Sequence, residues 1–301
     1  MIYDVTHVTR YTYGSIVELT NGILRLTPRS GGGQVLNRFE LGVTPPCLPA
    51  NERLDPFGNT VISLRIEMPH RELSVSAKSC VAVMRPPIVA ATTPWEAVAA
   101  EALTVPSLCS DSPALALYPS RRISLFKPAT TYARESFSKN RPIDEAALEL
   151  ARRIRSDFVY DPDATEVNTP TQDAFVRRRG VCQDFAHIMI AALRGLGLPA
   201  LYVSGYIRTI PPPGKARLTG ADASHAWVSL WCGLGSGWRD FDPTNAQTVR
   251  DDHIVVARGR DYSDASPIES LVLSSGRHKL DVEVDVVPIQ PAADSTSLLS
   301  S

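Results

Sequence analysis

The period of the hydrophobic pattern changes twice along the chain, and this restricts the fold more than any other feature. Up to about residue 90, apolar and polar residues alternate or β-branched residues cluster, as over 61–66. From Asp144 apolar residues recur at helical spacing, and after Pro199 strand-like runs return. Strands, then helices, then antiparallel strands predict an α+β fold.

The same pattern divides the 301 residues into two folded units, which suits a chain of this length. Residues 1–90 are predicted to form a small β-sandwich, and residues 91–140 a connector with one short helix near 94–103. Residues 141–290 are predicted to form a unit in which helices pack on an antiparallel sheet. The Ser-rich tail over 291–301 is predicted to be disordered.

Charge and hydropathy exclude several classes of partner. The formal net charge is −1, so a nucleic-acid partner is not expected. No apolar run reaches the ~20 residues that span a bilayer, and residues 1–7 are polar and strand-like, unlike a secretory signal. We therefore expect a cytoplasmic protein that does not bind a membrane.

Five cysteines are scattered along the chain without a C-x-x-C pair, which disfavours both a disulfide framework and a cysteine zinc site. Cys182 follows Gly180 and Val181 at the start of a predicted helix. Free N–H groups and the helix dipole favour an anion there, and so favour a nucleophilic thiolate. The alternative is a small buried side chain without chemistry. The other cysteines are Cys47, Cys80, Cys109 and Cys232.

Two strands joined by a glycine-rich loop over 233–237 supply a base and an acid. His225 begins the first strand and Asp242 ends the second. Pairing of Trp231 with Trp238 would set the register of this antiparallel hairpin. In that register Asp242 shares a sheet face with His225 and lies on its diagonal, ~7–8 Å away at the backbone.

Together these residues predict a Cys182–His225–Asp242 triad. The thiolate attacks a carbonyl, the histidine moves the proton, and the aspartate orients the imidazole. Asp240 has the same parity but lies opposite Ser229, farther from the histidine. It is the weaker third member, and a solvated strand residue is the favoured interpretation.

Other polar residues near the triad have open roles. The backbone N–H of Cys182 is one natural oxyanion donor, and Gln172 and Gln183 are candidates for a second. Asp184 lies in the first turn of the predicted helix, where the dipole favours a carboxylate, and His187 follows one turn later. A structural role is favoured for both over a direct catalytic one, and His187 is a candidate polar residue close to the site.

Four blocks of the second unit resemble the bacterial transglutaminase-like superfamily. They are GVCQDFAH at 180–187, GLPA at 197–200 with VSGY at 203–206, SHAWV at 224–228, and GW at 237–238 with FDPTN at 241–245. The resemblance extends over about residues 140–265 and includes GRDY at 259–262. The β-rich start resembles the N-terminal region found in bacterial transglutaminase-like cysteine proteases.

The resemblance implies a papain-like α+β core whose triad falls on Cys182, His225 and Asp242. It implies no organic cofactor and no metal, calcium included. Tyr206 and Trp227 are candidates to line the acyl-binding cleft, although packing explains them equally well. The expected substrate is a peptide, a protein or a small amide.

Three activities are compatible with this machinery. Water can resolve the acyl-enzyme, as in a cysteine peptidase or amidase, or an amine can resolve it, as in a transglutaminase. We favour hydrolysis because the sequence gives no sign of a dedicated amine tunnel. A non-catalytic binding module on the same fold is the third alternative.

Overall fold

Two four-stranded sheets, a five-stranded sheet, a two-stranded sheet and a layer of helices make up the described part of the chain. The structure is a computed structural model that describes residues 1–48, 51–87, 89, 92–107, 109–209, 223–273 and 277–289. The predicted disordered tail over 291–301 lies outside the described residues.

The strands occur in two groups, before and after the main helices. The first group comprises β1 (Ile2–Val17), β2 (Leu19–Leu24), β3 (Gln34–Thr44), β4 (Glu52–Leu54), β5 (Thr60–Ile66) and β6 (His70–Val83). The later strands are β7 (Val159–Tyr160), β8 (Arg179–Gly180), β9 (Ala200–Ile207), β10 (Ala223–Trp231), β11 (Trp238–Asp242), β12 (Gln247–Thr248), β13 (His253–Gly259), β14 (Ile268–Leu273) and β15 (His278–Ile289).

The helices lie between β6 and β14. They are α1 (Trp95–Ala102), α2 (Lys127–Arg134), α3 (Ile143–Asp157), α4 (Thr171–Arg177), α5 (Cys182–Gly195) and α6 (Tyr262–Ala265), with a 3₁₀ turn at Pro113–Ala116. None of the described helices is long and apolar enough to cross a membrane.

The sandwich is built from both ends of the chain. Its sheets have the strand orders β15-β1-β6-β3 and β14-β2-β5-β4. The sequence pattern assigned the strand near 280–286 to the second unit. The structure corrects this, because β15 pairs with β1 from Ile2 opposite Ile289 to Tyr13 opposite His278. Apolar side chains from both sheets form the core between them: Tyr13, Val17, Leu24, Leu26, Ile62, Leu64, Ile66, Leu73, Val75 and Ala77.

Residues 91–140 are part of the helical layer rather than a separate connector. Val98 of α1 and Tyr132 of α2 are buried in the same core as α3 and α5, together with Ile123 from the segment between the first two helices. The helices of this segment are short and are separated by a long irregular stretch, so the sequence pattern showed the first helix but not its packing.

The five-stranded sheet has the strand order β12-β11-β10-β9-β13. Helix α5 packs on strands β9 and β10 of this sheet. Helices α2, α3 and α4 cover the other sides of α5. Every side chain from Asp184 to Arg194 is therefore buried, which explains why this helix is apolar on nearly all sides. Strands β10 and β11 have the predicted register, with Trp231 opposite Trp238.

Candidate active site

Cys182 is the half-buried first residue of α5, and a tightly built turn fixes its position. Gly180 has a φ of +158°, and a Cβ there would lie 2.8 Å from the Cβ of Asp184. The Asp184 carboxylate accepts hydrogen bonds from the Val181 N–H at 2.9 Å and from the Thr165 hydroxyl at 2.6 Å. This carboxylate anchors the start of the helix and so holds the sulphur in place.

His225 lies on β10 between the sulphur and a carboxylate. Its Nε2 donates to Asp242 Oδ2 at 2.8 Å, and its imidazole lies close enough to Cys182 for the two side chains to interact. Because Nε2 faces the carboxylate, Nδ1 is the nitrogen left for the sulphur. The imidazole is 7 % exposed, so it is held in this arrangement largely away from water.

Asp242 is fully buried, and both of its oxygens accept hydrogen bonds. Oδ1 accepts from the N–H groups of Thr244 and Asn245, at 2.9 and 3.1 Å. Oδ2 accepts from the Asn245 amide at 2.7 Å, in addition to His225. It also accepts from Nε2 of His253 at 3.1 Å. Five donors therefore compensate the burial of one carboxylate.

The charges of the site reinforce one another. Burial lowers the pKa of His225, but hydrogen bonds to Asp242 and Cys182 outweigh it and raise this pKa to about 10. Burial also opposes ionisation of Asp242, yet the bonds from His225 and His253 hold its pKa well below the usual range. The site thus favours a protonated imidazole beside Asp242 and Cys182.

Asp240 is not a solvated strand residue. Its side chain is 12 % exposed and accepts from Trp227 Nε1 at 3.1 Å and from Ser229 Oγ at 2.5 Å. Arg258 forms an ion pair with it at 3.3 Å. Burial opposes the charge, but Arg258 lowers the pKa of this carboxyl. Asp240 therefore supports Trp227 and does not contact His225.

Comparisons with known proteins identify the family of this chain. Residues 3–82 match the bacterial transglutaminase-like N-terminal region, and residues 130–243 match the transglutaminase-like superfamily. The chain is 38% identical over 297 residues to the uncharacterized protein Rv2569c of Mycobacterium tuberculosis, covering 96% of this chain and 93% of that protein. This chain belongs to the transglutaminase-like superfamily.

Two further similarities place this transglutaminase-like protein among known structures and enzymes. A crystal structure from Cytophaga hutchinsonii, described as a candidate cysteine protease, shares its fold with a TM-score of 0.71 and 23% identity, covering 96% of this chain and 92% of that one. The second is the protein-glutamine gamma-glutamyltransferase of Pseudomonas aeruginosa, 36% identical over 102 residues, or 33% of this chain and 15% of that protein. The core has the papain-like α+β fold of the superfamily.

The two candidate oxyanion glutamines each have a partner away from the sulphur. Gln172 Nε2 donates to Ser124 Oγ at 3.1 Å, and Gln183 Nε2 donates to the Val167 carbonyl at 3.1 Å. Both glutamine amides are therefore already engaged by other partners.

The polar residues of α5 serve the structure of the helix and its surroundings. Asp184 binds the helix start, as described above. His187 is 2 % exposed, and its Nε2 accepts the Tyr262 N–H at 3.2 Å. Burial lowers the pKa of His187 to about 3, so it is neutral and joins α5 to α6.

Tyr206 and Trp227 do not present a surface to a substrate, because the fold buries both. Tyr206 is 3 % exposed, and its hydroxyl bonds to His7 of the sandwich at 2.9 Å. Trp227 has no exposed surface. Tyr160 and Tyr202 are instead close enough to Cys182 for its charge to contribute, after burial, to raising the pKa of both phenols.

His253 and Asn245 are the contacts of Asp242 that the sequence did not assign. Asn245 belongs to the FDPTN block and follows the acid by three residues, which was a usable local signal. His253 begins β13, which is separated from β10 by β9. No spacing between residues that are close in the sequence predicts the contact of His253 with Asp242.

The donor atoms of His225, Asp242 and His253 lie within 4.8 Å of one another, a grouping that also occurs around metal ions. Both histidines contact Asp242 through Nε2. An ionised carboxylate only accepts hydrogen bonds, so both Nε2 atoms carry protons. The Nε2–Oδ2 distances of 2.8 and 3.1 Å are hydrogen-bond lengths, and Asp242 also accepts from Thr244 and Asn245, so the three residues as arranged fit a hydrogen-bonded group better than a metal centre.

Proposed function

We propose that this transglutaminase-like protein is a thiol-dependent amide hydrolase, either a cysteine peptidase or an amidase. The chain of contacts from Cys182 through His225 to Asp242 carries the proposal. A thiol, an imidazole and a carboxylate in this order are the parts of a nucleophile, a proton carrier and an orienting group.

The chemistry follows from the charges. The Cys182 thiolate attacks the amide carbonyl carbon and forms a tetrahedral oxyanion. The C–N bond breaks as the His225 imidazolium gives its proton to the leaving amine. A water molecule then attacks the thioester, His225 takes up its proton, and the acid leaves with the thiol regenerated. Asp242 keeps the imidazole in one orientation and stabilises its charged form throughout.

The start of α5 supports the oxyanion step. The N–H of the first helical residue has no acceptor within the helix, and the helix dipole adds positive potential at this end. The attacked oxygen lies near the sulphur by necessity, so the Cys182 N–H is placed to bind it. Such donors stabilise charge that develops in the transition state.

A groove with a volume of about 490 Å³ between the sandwich and the core suits a chain-like substrate. Tyr11 and Tyr13 stack on one wall with their ring centroids 6.1 Å apart, and Tyr262 lines the groove as well. Tyr262 packs edge-on against Tyr202 at 6.2 Å, and Tyr202 adjoins Cys182. None of the triad residues lines this groove, so we propose it as a subsite for a more distant part of a peptide substrate.

The second candidate function is acyl transfer from glutamine to an amine. The similarity to the Pseudomonas aeruginosa glutamyltransferase over part of the core favours it, whereas the shared fold of the Cytophaga hutchinsonii candidate cysteine protease accords with hydrolysis. Both reactions use the same acyl-enzyme. They differ in whether water or an amine reaches the thioester. A non-catalytic module is the third candidate and requires no activated thiol.

The state of the cysteines bears on location. All five are free thiols, which suits a reducing compartment, and we propose that the enzyme works in the cytoplasm. Immunoblots of the cytoplasmic and envelope fractions of the native host would test this, and enrichment in the envelope would contradict it.

The deciding experiment has two stages. Native protein is alkylated with iodoacetamide across about pH 4–9, and mass spectrometry locates the label. Casein is then incubated with the enzyme, with and without a dansylated primary amine. New peptide termini support a peptidase, conversion of glutamine to glutamate supports an amidase, and incorporated amine supports the transferase.

Cys182→Ala and Cys182→Ser are the matched controls, and both should abolish every casein product. An unreactive Cys182 together with unchanged casein would contradict both enzymatic proposals and leave the binding module.

A further inference from the structure

Asp242 serves two histidines, and the second of them has no place in the mechanism described so far. His253 is 1 % exposed, and its Nε2 lies 3.1 Å from the same Oδ2 atom that binds His225. A buried polar ring directed at a carboxylate requires an explanation, because burial without a purpose costs stability.

The other nitrogen of His253 reveals its protonation state. Nδ1 is buried and has no hydrogen-bond partner among the described residues. Donation to the carboxylate requires a proton on Nε2. A second proton on Nδ1 would leave a buried N–H without an acceptor and would place two cations against one carboxylate. The geometry therefore selects the neutral ring with its proton on Nε2.

The surroundings of His253 hold the ring in one orientation. Trp227 packs edge-on against it, with ring centroids 5.3 Å apart and planes at 81°. The His225 ring lies 6.1 Å away, and both rings contact the same carboxylate oxygen. The backbone of His253 is fixed by its position opposite Ile207 in the sheet.

We propose that His253 is a positioning residue that fixes the Asp242 carboxylate toward His225 by donating one hydrogen bond from its neutral Nε2–H form. This inference rests on the proposed function and extends it to a fourth side chain. His253 touches neither the substrate nor the sulphur. It acts by removing the freedom of Asp242 to rotate and by compensating its buried charge.

The first test uses nuclear magnetic resonance of protein labelled with ¹⁵N in its six histidines. The His253 signals are assigned by their loss in His253→Gln. We expect a protonated Nε2 and a bare Nδ1 at neutral pH, while His225 is protonated on both nitrogens. A proton on Nδ1 of His253 would overturn the inference.

The second test compares three variants by the rate of Cys182 alkylation in the neutral range. His253→Phe keeps the ring volume but has no donor, and should slow alkylation by about tenfold, the factor that one hydrogen bond to a charged group supplies. His253→Gln should restore most of the rate, because its amide nitrogen reaches the position of Nε2. His253→Asn is the matched control, because its shorter amide reaches only the position of Nδ1.

These variants separate positioning from packing. Equal rates for the Gln and Asn variants, or a wild-type rate for the Phe variant, would overturn the inference. Thermal unfolding of each variant shows which are folded, and the comparison of Gln with Asn stands even if the Phe variant unfolds. His70→Phe removes a buried histidine from the sandwich and should leave alkylation unchanged.

Failure of the proposed function looks different. If the proposed function is wrong, Cys182 of the unmodified protein should be alkylated no faster than the other thiols. If Cys182 is alkylated rapidly in both the native protein and His253→Phe, the proposed function stands and only the role of His253 is contradicted.

Discussion

The indole of Trp227 lies across the backbone of Gly205, so close that a Cβ on residue 205 would come within 2.6 Å of the ring atom Cη2. Gly205 is opposite His225 on one side and opposite Val255 on the other. The missing side chain lets the indole cross β9 and contact His253. A glycine thus creates the space in which two strands of the sheet share one carboxylate.

Gly205→Ala should therefore lower the free energy of unfolding by about 1–3 kcal/mol, the usual cost of overpacking a core. It should also slow alkylation of Cys182, because the displaced indole disturbs His225. Gly235→Ala is the control, since nothing lies within 4 Å of its added Cβ. Urea unfolding of both variants tests this, and equal midpoints would contradict it.

The raised pKa of His225 makes a prediction about pH. In the unfolded chain a histidine titrates near 6.5, whereas His225 in the fold titrates at about 10. The folded protein binds the extra proton between these values, so the stabilisation is complete below about pH 6.5 and is lost as the pH rises to about 10. The difference in unfolding free energy between the native protein and His225→Gln should shrink over that range. A difference that grew with pH would contradict this assignment.

The same imidazole should respond to loss of the sulphur. A hydrogen bond and the charge of Cys182 both contribute to the raised pKa of His225. In Cys182→Ala the His225 titration should therefore move to lower pH, as followed by nuclear magnetic resonance. An unchanged titration would mean that the thiol and the imidazole do not interact.

The five thiols should differ in reactivity. Cys182 should react fastest with iodoacetamide at slightly acid pH, because the neighbouring imidazolium stabilises its thiolate. Cys232 should stay unlabelled in the folded protein, since it is 1 % exposed and burial and Asp144 raise the pKa of its thiol. Exposed Cys109 serves as the internal reference. Labelling of Cys109 before Cys182 below neutral pH would count against an ion pair.

Arg194 should be essential for stability and not for chemistry. It is 2 % exposed and donates to the carbonyls of Ala200, Arg260 and Tyr118. Arg194→Met would leave these oxygens without their donor, and we expect a loss of about 3 kcal/mol or more in unfolding free energy. Arg155→Met on the exposed side of α3 should change it by less than about 0.5 kcal/mol. Equal melting temperatures for the two variants would refute this role.

The sequence was most informative where interactions are local. The hairpin of β10 and β11 has a short loop, so alternation alone placed Asp242 on the face of His225, and Trp231 indeed pairs with Trp238. The helix starting at Cys182 was visible because Gly180 breaks the chain immediately before an apolar stripe. Both features depend on residues within about twenty positions of one another, and over such distances the period of the hydrophobic pattern indicates the secondary structure directly.

Contacts between distant segments could not be predicted in this way. The alternation of apolar and polar residues in β15 predicted a strand. It could not predict that the partner of this strand is β1, because side chains alternate with a period of two whichever strand is the neighbour. The burial of Asp240 depends on Arg258, which comes from another strand. His253 likewise reaches Asp242 only because the sheet order places β13 beside β9.

The pairing of Ile2 with Ile289 has a consequence for biosynthesis. While the chain emerges from the ribosome, β1 has β6 on one side but no neighbour on the other until the last strand is made. The helices and the five-stranded sheet are translated before that moment, so the core can collapse while the sandwich still has an open edge. An exposed edge strand invites pairing with other chains. The most aggregation-prone interval of synthesis should therefore be the one that ends when β15 docks.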